Sequence, residues 1–399
     1  MKKLLSILLA LSLCLCAAGC ASKTESAPDP ASAVHKIGVI VYNLGDEEVI
    51  GIREYLQGYI ESNFEMAQFI YSDSIRTGEQ ELAFIREACD AGAEGFLSFT
   101  SHDLAAEVAL CGQNGAYYLM ASGTVAEEDF ESVADDPWFL GVFGPGEGAE
   151  YQAGADMAAF FADEGSYFIL SGGAPLGNEM HYQRTLGILE TLSGEYGAHL
   201  TPAPAELAAS DAVVTASDGG LTVTVCPGYV DFEDFLDTAR AAYEAGNYAA
   251  VMSVLPPGGM ADVVSGARLG IVDSYNTRNL QLFNGGRLDY LVGKYSSVVG
   301  PAFALMLNAV TGYAADFREN GRAVHIAQDF WVSDSREDFE EKYALSTSAA
   351  LNAYNFDDLS RVCRIFHSDA GPEELTALAE ASSYEAVLAR RGVTAPSGQ

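Results

Sequence analysis

The chain has 399 residues, of which 49% are hydrophobic, and its 56 acidic and 21 basic side chains give a formal net charge of −35. No basic stripe is present that could displace counterions from a phosphate backbone, so a nucleic-acid partner is disfavoured, as is binding flat on anionic lipid. The six histidines and the widely spaced cysteines show no ligand spacing, so neither a metal nor a cofactor is predicted.

The first residues are typical of an exported protein. Two lysines precede an uncharged apolar run, which predicts a signal peptide over residues 1–19. The small residues before Cys20 resemble the lipobox of bacterial lipoproteins, which implies that Cys20 is acylated and anchors the chain to the cell membrane on its extracytoplasmic face. An ordinary signal peptide with an incidental cysteine is the alternative. Residues 20–34 are rich in Ser, Ala and Pro and predict a flexible, lipidated stalk.

Apolar runs rich in β-branched residues then alternate with segments of helical period. In the first half, strands are predicted at 36–44, 67–74, 93–100 and 116–123, and helices at 47–64, 78–92 and 103–115. In the second half, helices are predicted at 148–164, 178–197, 231–246 and 259–270, and strands at 165–173, 221–228 and 248–257. Apolar strands separated by helices indicate parallel sheets covered on both faces, so we predict an α/β fold of two Rossmann-like, doubly wound lobes.

The order of elements in "KIGVIVYNLGDEEVIGIREYLQ", "EQELAFIREACDAGAEGFLSF" and "NGAYYLMASGTV" resembles that of the type I periplasmic binding proteins, the solute receptors of ABC importers. The resemblance implies two lobes joined by a multi-strand hinge, with residues 35–143 and 295–327 in the N-terminal lobe and residues 144–294 and 328–345 in the C-terminal lobe. Residues 346–399 go beyond the usual end of the family and are predicted to form a helical C-terminal extension. The implied function is to close around a small hydroxylated solute, foremost a sugar, and to deliver it to an ABC permease.

Ligands of such sheets bind where the strands end, so the predicted binding residues follow strands. Sugar-binding members of the family often carry two phenylalanines after the first strand, where this chain has Glu48 and Val49, and Tyr42 is the predicted substitute. The resemblance also places Asp273 at a solute-binding aspartate and aligns either Tyr182 or Arg184 with a binding arginine. The complete predicted set is Tyr42, Asn43, Phe99, Ser122, Tyr182, Arg184, Tyr229, Phe232, Asp273 and Lys294.

Two features resemble a second group, the basic membrane proteins that bind purine nucleosides. The Gly-rich stretch 255–264 is similar to a turn of that group, and Lys294 stands where the group has a lysine facing ribose hydroxyls. Together with Asp273 it would grip a diol. Other interpretations stay open at this stage: Asp273 as the cap of a helix starting at Ser274, Lys294 as a side chain facing water, and the aromatic residues as core or rim.

Other functional classes have less support. The sequence has no GxSxG motif, no Walker loop and no paired Gly-rich motif after its first strand, so we predict that the protein is not an enzyme. A solute sensor that feeds a signalling receptor is an alternative to import, because both use the same hinge closure. The four cysteines of the body lie among apolar neighbours, which predicts buried free thiols and not a disulfide framework.

Overall fold

The computed structural model describes residues 33–162 and 165–392 of the protein. The predicted signal peptide, Cys20 and nearly all of the predicted stalk lie outside the described residues. From Val34 onward the described residues belong to one compact unit, which contains two separate sheets.

The first sheet has six parallel strands in the order β12-β5-β4-β3-β1-β2. Its strands are His35–Val41 (β1), Ala67–Ser74 (β2), Ala93–Ser98 (β3), Tyr117–Met120 (β4), Phe139–Pro145 (β5) and Val324–Gln328 (β12). The helices between them are Glu47–Arg53 (α1), which continues through a π-helical turn to Asn63, Gly78–Asp90 (α2), Leu104–Gln113 (α3) and Glu127–Val133 (α4). Aspartate and threonine side chains cap α1, α2 and α3, as the preference for short oxygen-bearing residues at helix starts predicts.

The second sheet has seven strands in the order β13-β11-β10-β9-β6-β8-β7, with antiparallel pairing only at its two edges. Its strands are Ser166–Ser171 (β6), Val214–Asp218 (β7), Leu221–Pro227 (β8), Ala250–Ser253 (β9), Arg268–Ser274 (β10), Tyr290–Lys294 (β11) and Trp331–Ser333 (β13). Its helices are Ala149–Phe160 (α5), Gly173–Leu176 (α6), Glu179–Tyr196 (α7), Pro204–Ala208 (α8), Phe235–Glu244 (α9), Met260–Val263 (α10), Thr277–Asn284 (α11) and Arg336–Thr347 (α13).

The chain passes between the two sheets three times. It leaves the first sheet after β5, returns after β11, and crosses again between β12 and β13. The fold prediction of two doubly wound lobes joined by a multi-strand hinge is therefore confirmed. Several connections at one side let the lobes rotate relative to each other while both stay folded.

The prediction of a helix over residues 259–270 is wrong in its second half. The helix α10 ends at Val263, and the chain reaches β10 at Arg268 through a turn in which Gly266 has a φ of 78°. The strand β10 pairs with β9 on one side and β11 on the other, and Leu269 and Ile271 are fully buried. A short apolar run carries no period long enough to separate strand from helix, so its position in the sheet decides its conformation.

The chain that returns to the first lobe is a long buried helical segment. It includes Gly300–Asn308 (α12), all of whose residues are buried, and runs from Ser296 to Phe317. By length and composition these 22 residues could cross a membrane, with a mean hydropathy of 1.4, but 78% of the apolar window is buried inside the protein. The segment packs against β3, β4 and β5 and serves as a core helix of the first lobe.

The C-terminal part forms three further helices, Phe356–Arg361 (α14), Pro372–Glu380 (α15) and Tyr384–Arg391 (α16). The helix α15 packs on β12 and α12 of the first lobe. Between α15 and α16, the carbonyl oxygen of Ser382 accepts hydrogen bonds from the Tyr295 hydroxyl at 2.8 Å and from Trp331 Nε1 at 2.9 Å. Since Tyr295 directly follows β11 and Trp331 begins β13, the extension is bonded to the chain beside two of the three crossovers.

Candidate functional site

The carboxyl ends of the strands of both lobes border one cleft of about 870 Å³. From the first lobe it is lined by residues that follow β1, β3 and β4, and from the second lobe by residues that follow β8 and β9 and by the last residues of β10 and β11. Parallel strands bring all their carboxyl ends to one edge of a sheet, so residues far apart in sequence meet there. The volume lies within the usual range for small-molecule sites.

Eight of the ten predicted binding residues line this cleft. They are Tyr42, Phe99, Ser122, Arg184, Tyr229, Phe232, Asp273 and Lys294.

Asn43 and Tyr182 are not among the residues that line the cleft. The Asn43 side chain is engaged in its own turn, where its Oδ1 accepts a hydrogen bond from the backbone N–H of Gly45 at 3.0 Å. Tyr182 packs against the apolar core of the second lobe. Arg184 faces the cleft instead, because two positions along a helix turn a side chain by about 200°.

Lys294 contacts the opposite lobe. Its Nζ donates to Glu48 Oε1 at 3.3 Å and to the carbonyl oxygen of Ser122 at 3.4 Å, and its side chain is 13% exposed. The interpretation of Lys294 as a side chain that faces water is therefore wrong. Glu48 lies in the first turn of α1, so this ion pair joins the lobes across the cleft.

Asp273, near the end of β10, is held by two amides. Its Oδ2 accepts hydrogen bonds from Asn276 Nδ2 at 3.2 Å and Asn279 Nδ2 at 2.7 Å. Asn276, and not Asp273, caps the following helix α11, so the capping interpretation of Asp273 is wrong. Burial, followed by the negative charge of Asp46, raises the pKa of Asp273 to about 7, although the two amides lower it. The two amides fix the orientation of the Asp273 carboxyl group at the cleft.

Arg184 is a buried cation whose charge is already compensated. Its Nε donates to Glu150 Oε2 at 2.5 Å, and its Nη1 donates to the carbonyl oxygen of Val254 at 2.9 Å. One turn earlier on α7, His181 also lines the cleft, and it is 7% exposed. Burial lowers the pKa of His181 to about 3, helped by the charges of Arg184 and Lys294, so the imidazole is neutral at physiological pH.

Four aromatic side chains give the cleft its apolar surfaces. Phe99 is buried, and burial raises the pKa of the Tyr42 hydroxyl well above its usual range. Tyr229 and Phe232 form an edge-to-face pair with ring centroids 6.3 Å apart, and Phe232 is 39% exposed. Phe232 therefore lies at the rim, while Tyr42 and Phe99 lie deeper.

Among the lining side chains that the sequence analysis did not predict are two carboxylates and a histidine. Asp46 and Glu48 follow β1, and His181 lies three residues before Arg184 on the same helix face. The rule that ligands bind after strands, and the spacing of i and i+3 along a helix, would have pointed to them.

An ion pair at the edge of the cleft was also not predicted. Arg76 Nη2 lies 2.7 Å from Asp231 Oδ2, and the two residues belong to different lobes. They are separated by 155 positions, so no local pattern connects them.

The described residues were also compared with the requirements of a metal site. Among residues 33–162 and 165–392, no group of three or more His, Cys, Asp or Glu side chains could hold a metal ion. The four cysteines in that part of the chain are free thiols. Cys111, Cys226 and Cys363 are buried, whereas Cys89 is half-buried.

The architecture resembles that of solved structures, although sequence comparisons find no match. No protein-family model matches the chain, and no curated protein does so either. Several solved structures do match the chain. A sugar ABC transport system substrate-binding protein from Bordetella parapertussis 12822 is similar over 79% of this chain and 94% of its own, with 14% identity and a TM-score of 0.56. The chain has the type I periplasmic binding protein fold.

Two further structures with this fold were solved with a bound solute. An ABC transporter solute-binding protein from Bacillus halodurans C-125 with bound myo-inositol is 17% identical over 78% of this chain and 98% of its own, with a TM-score of 0.54. The periplasmic binding protein of the arabinose ABC transporter from Shewanella sp. ANA-3, bound to arabinofuranose, is 12% identical over 80% of this chain and 99% of its own, with a TM-score of 0.55. The three neighbours are thus named as substrate-binding, solute-binding or periplasmic binding proteins.

Proposed function

We propose that this protein is an extracytoplasmic solute-binding lipoprotein of an ABC importer and that it closes around a small hydroxylated solute, a sugar. The observation that carries the proposal is the cleft between the lobes, where an oriented aspartate, a lysine and buried aromatic rings converge from both sheets. Carboxylates and lysines make directional hydrogen bonds with hydroxyl groups, and aromatic faces pack on the apolar face of a sugar ring.

The three crossovers can act as a hinge for the closure of the two lobes that this function requires. A solute that contacts both lobes binds the closed arrangement better than the open one, so its binding energy shifts the population toward closure. The Lys294–Glu48 and Arg76–Asp231 pairs join the lobes in the arrangement described here. A closed receptor is the form that an ABC permease would recognise, and the acyl group on Cys20 would keep the receptor at the membrane.

A purine nucleoside is the second candidate solute. Pro256, from the Gly-rich stretch 255–264, lines the cleft together with Asp273 and Lys294, and Gly258 adopts a φ of 53° that brings the backbone close to its neighbours. The cleft volume leaves room for a base beside a ribose.

The test is calorimetric titration of the purified full chain with pentoses, hexoses, inositols and nucleosides, preceded by a thermal-shift screen. A solute at about a hundred times its dissociation constant adds ~2.7 kcal/mol to the stability of the folded state, which such a screen detects. We expect binding by one sugar, and weaker binding by the Asp273→Ala and Lys294→Ala variants.

The matched control is Asp211→Ala, since Asp211 is exposed and does not line the cleft. Equal affinity of both cleft variants and the parent would refute the assignment of this site. Binding of inosine or guanosine alone would favour the second candidate.

A further inference from the structure

The C-terminal extension makes a fourth connection between the lobes. After α13 in the second lobe, the chain returns to the first lobe, where the carbonyl oxygen of Tyr354 accepts a hydrogen bond from the Tyr55 hydroxyl at 2.7 Å. Asn308 of α12, which is fully buried, bonds the extension twice. Its Nδ2 donates to the carbonyl oxygen of Val362 at 2.8 Å, and its Oδ1 accepts from the backbone N–H of Arg364 at 2.8 Å. The first part of the extension is therefore fixed to the first lobe.

Ser382, between α15 and α16, contacts the chain where it crosses between the lobes. Its carbonyl oxygen accepts the hydrogen bonds from Tyr295, which directly follows β11, and from Trp331, which begins β13. Its hydroxyl accepts from the backbone N–H of Asp329 at 2.8 Å and donates to Asp329 Oδ2 at 3.2 Å, between β12 and β13. Ser382 is fully buried, so one residue of the extension bonds to the chain at two crossovers.

The helix α16 contacts the second lobe through Tyr384. The Tyr384 ring meets the Trp331 ring edge-to-face, with centroids 5.6 Å apart, and Lys342 Nζ lies 4.6 Å from the centroid of the Tyr384 ring. A lysine cation is attracted to the face of an aromatic ring. Lys342 belongs to α13 and is fixed in the second lobe, because its Nζ also donates to Asp338 Oδ2 at 2.7 Å and to the carbonyl oxygen of Val332.

Two arginines tie α16 back to the start of the extension. Arg390 Nη2 donates to the carbonyl oxygen of Ala353 at 2.7 Å, and the Arg390 guanidinium lies 4.6 Å from the centroid of the Tyr354 ring. Arg391 Nη2 donates to Asp358 Oδ2, and the Asp358 side chain is buried. Hydrogen bonds between charged groups are stronger than those between neutral groups. The contacts thus run without a break from Asn308 in the first lobe to Lys342 in the second.

We propose that residues 354–391 form a C-terminal strap that limits the opening of the cleft. Three crossovers alone leave the two lobes able to rotate relative to each other. Rotation of the second lobe away from the first has to separate Tyr384 from Lys342 or to break the bonds of Ser382 at the crossovers. Contacts that exist in only one arrangement of the lobes increase the population of that arrangement.

The strap has a consequence for binding, but it does not depend on which solute binds. A solute that contacts both lobes binds only the fraction of molecules whose lobes are close together, and its apparent dissociation constant increases as that fraction decreases. A strap that keeps the lobes together therefore increases the affinity for any solute of this kind. The inference itself concerns the motion of the lobes, and it goes beyond the proposed function.

The experiment is small-angle X-ray scattering from the purified full chain at pH 7 without added solute. Wild type is compared with Ser382→Ala, which removes the hydroxyl that bonds to Asp329, with Tyr384→Ala, which removes the contact with Lys342, and with the double variant. We expect a larger radius of gyration in each single variant than in the wild type, and the largest in the double variant, because the open arrangement gains population.

The matched controls make the same two changes inside one lobe. The Ser193 hydroxyl donates to the carbonyl oxygen of Leu189 within α7, and the Tyr151 hydroxyl donates to Glu190 Oε2, also on α7. Ser193→Ala and Tyr151→Ala should leave the radius of gyration unchanged. Thermal unfolding of every variant is followed in parallel, since a purely structural loss lowers Tm without changing the scattering of the folded protein.

The outcomes decide the role of the strap. A radius of gyration that stays at the wild-type value in both single variants and in the double variant would overturn the inference. An equal increase in the control variants would also overturn it, since a contact within one lobe would then have the same effect. If Tyr384→Ala does not fold, Ser382→Ala decides alone, because it removes a single oxygen atom. No solute is used, so failure of this inference leaves the proposed function to the calorimetric titration.

Discussion

Replacing Asp273 by asparagine is expected to remove a pH dependence from the folding stability of the unliganded protein. The pKa of this carboxyl is raised from 3.8 to about 7 in the folded state, first by burial and then by the charge of Asp46. A raised folded-state pKa means that the folded protein holds a proton that the unfolded chain releases. The stability that this proton contributes is fully present below pH 3.8 and is lost as the pH rises through about 7.

The size of the effect follows from the width of that window. From pH 5 to the folded-state pKa is about two units, each worth ~1.4 kcal/mol, so the wild type should lose about 3 kcal/mol from this group between pH 5 and pH 8. At ~2.1 cal/mol/K per residue, a body of about 360 residues has an unfolding entropy near 0.8 kcal/mol/K, and the loss corresponds to about 4 °C in Tm. Asparagine does not titrate, so the variant should not show this loss.

The assay is thermal unfolding followed by calorimetry at pH 5 and pH 8, without solute, for the wild type, Asp273→Asn and the exposed control Asp211→Asn. The decrease in Tm from pH 5 to pH 8 should be about 4 °C smaller in Asp273→Asn than in the other two proteins. Equal decreases in all three proteins would refute the argument that the pKa of Asp273 is raised in the folded state.

Three further predictions concern other parts of the chain. Glu107 accepts hydrogen bonds from Ser101 and from the Tyr118 hydroxyl, whereas burial and the charge of Glu107 raise the pKa of Glu81. Glu107→Gln should therefore lower the midpoint of urea unfolding at pH 7 more than Glu81→Gln, and the reverse order would contradict this assignment. Trp331→Ala should cost about 3–5 kcal/mol in the same assay, because Trp331 is buried against the hinge; a loss below 1 kcal/mol would show that this contact is dispensable. Cys20→Ala should move the protein from the membrane to the soluble fraction after cell lysis, and its retention in the membrane would rule out the lipid anchor.

The alternation of strands and helices was predictable from the sequence alone. Apolar runs of period two and helical segments are local features, and local side-chain chemistry is sufficient to produce them. The rule that ligands bind after strands predicted Tyr42 at the end of the first strand, whereas Asp273 and Lys294 were predicted from the resemblance to known families, and all three line the cleft. The short edge strands β7 and β13 and the start of β10 at Arg268 were not predicted, because they depend on pairing with neighbours and not on a local period.

By itself, the sequence determined the layered α/β fold and its two lobes, because hydrophobic periodicity and residue type are properties of short segments, and eight of the ten binding residues predicted from it line the cleft. The tertiary structure decided which of those residues face the cleft and which side chains they contact. Lys294 and Glu48 are 246 positions apart, and Asp46 and Asp273 come from different lobes. Their contacts and their repulsion arise only when the two lobes come together, since electrostatic interactions depend on distance in space and on the exclusion of water.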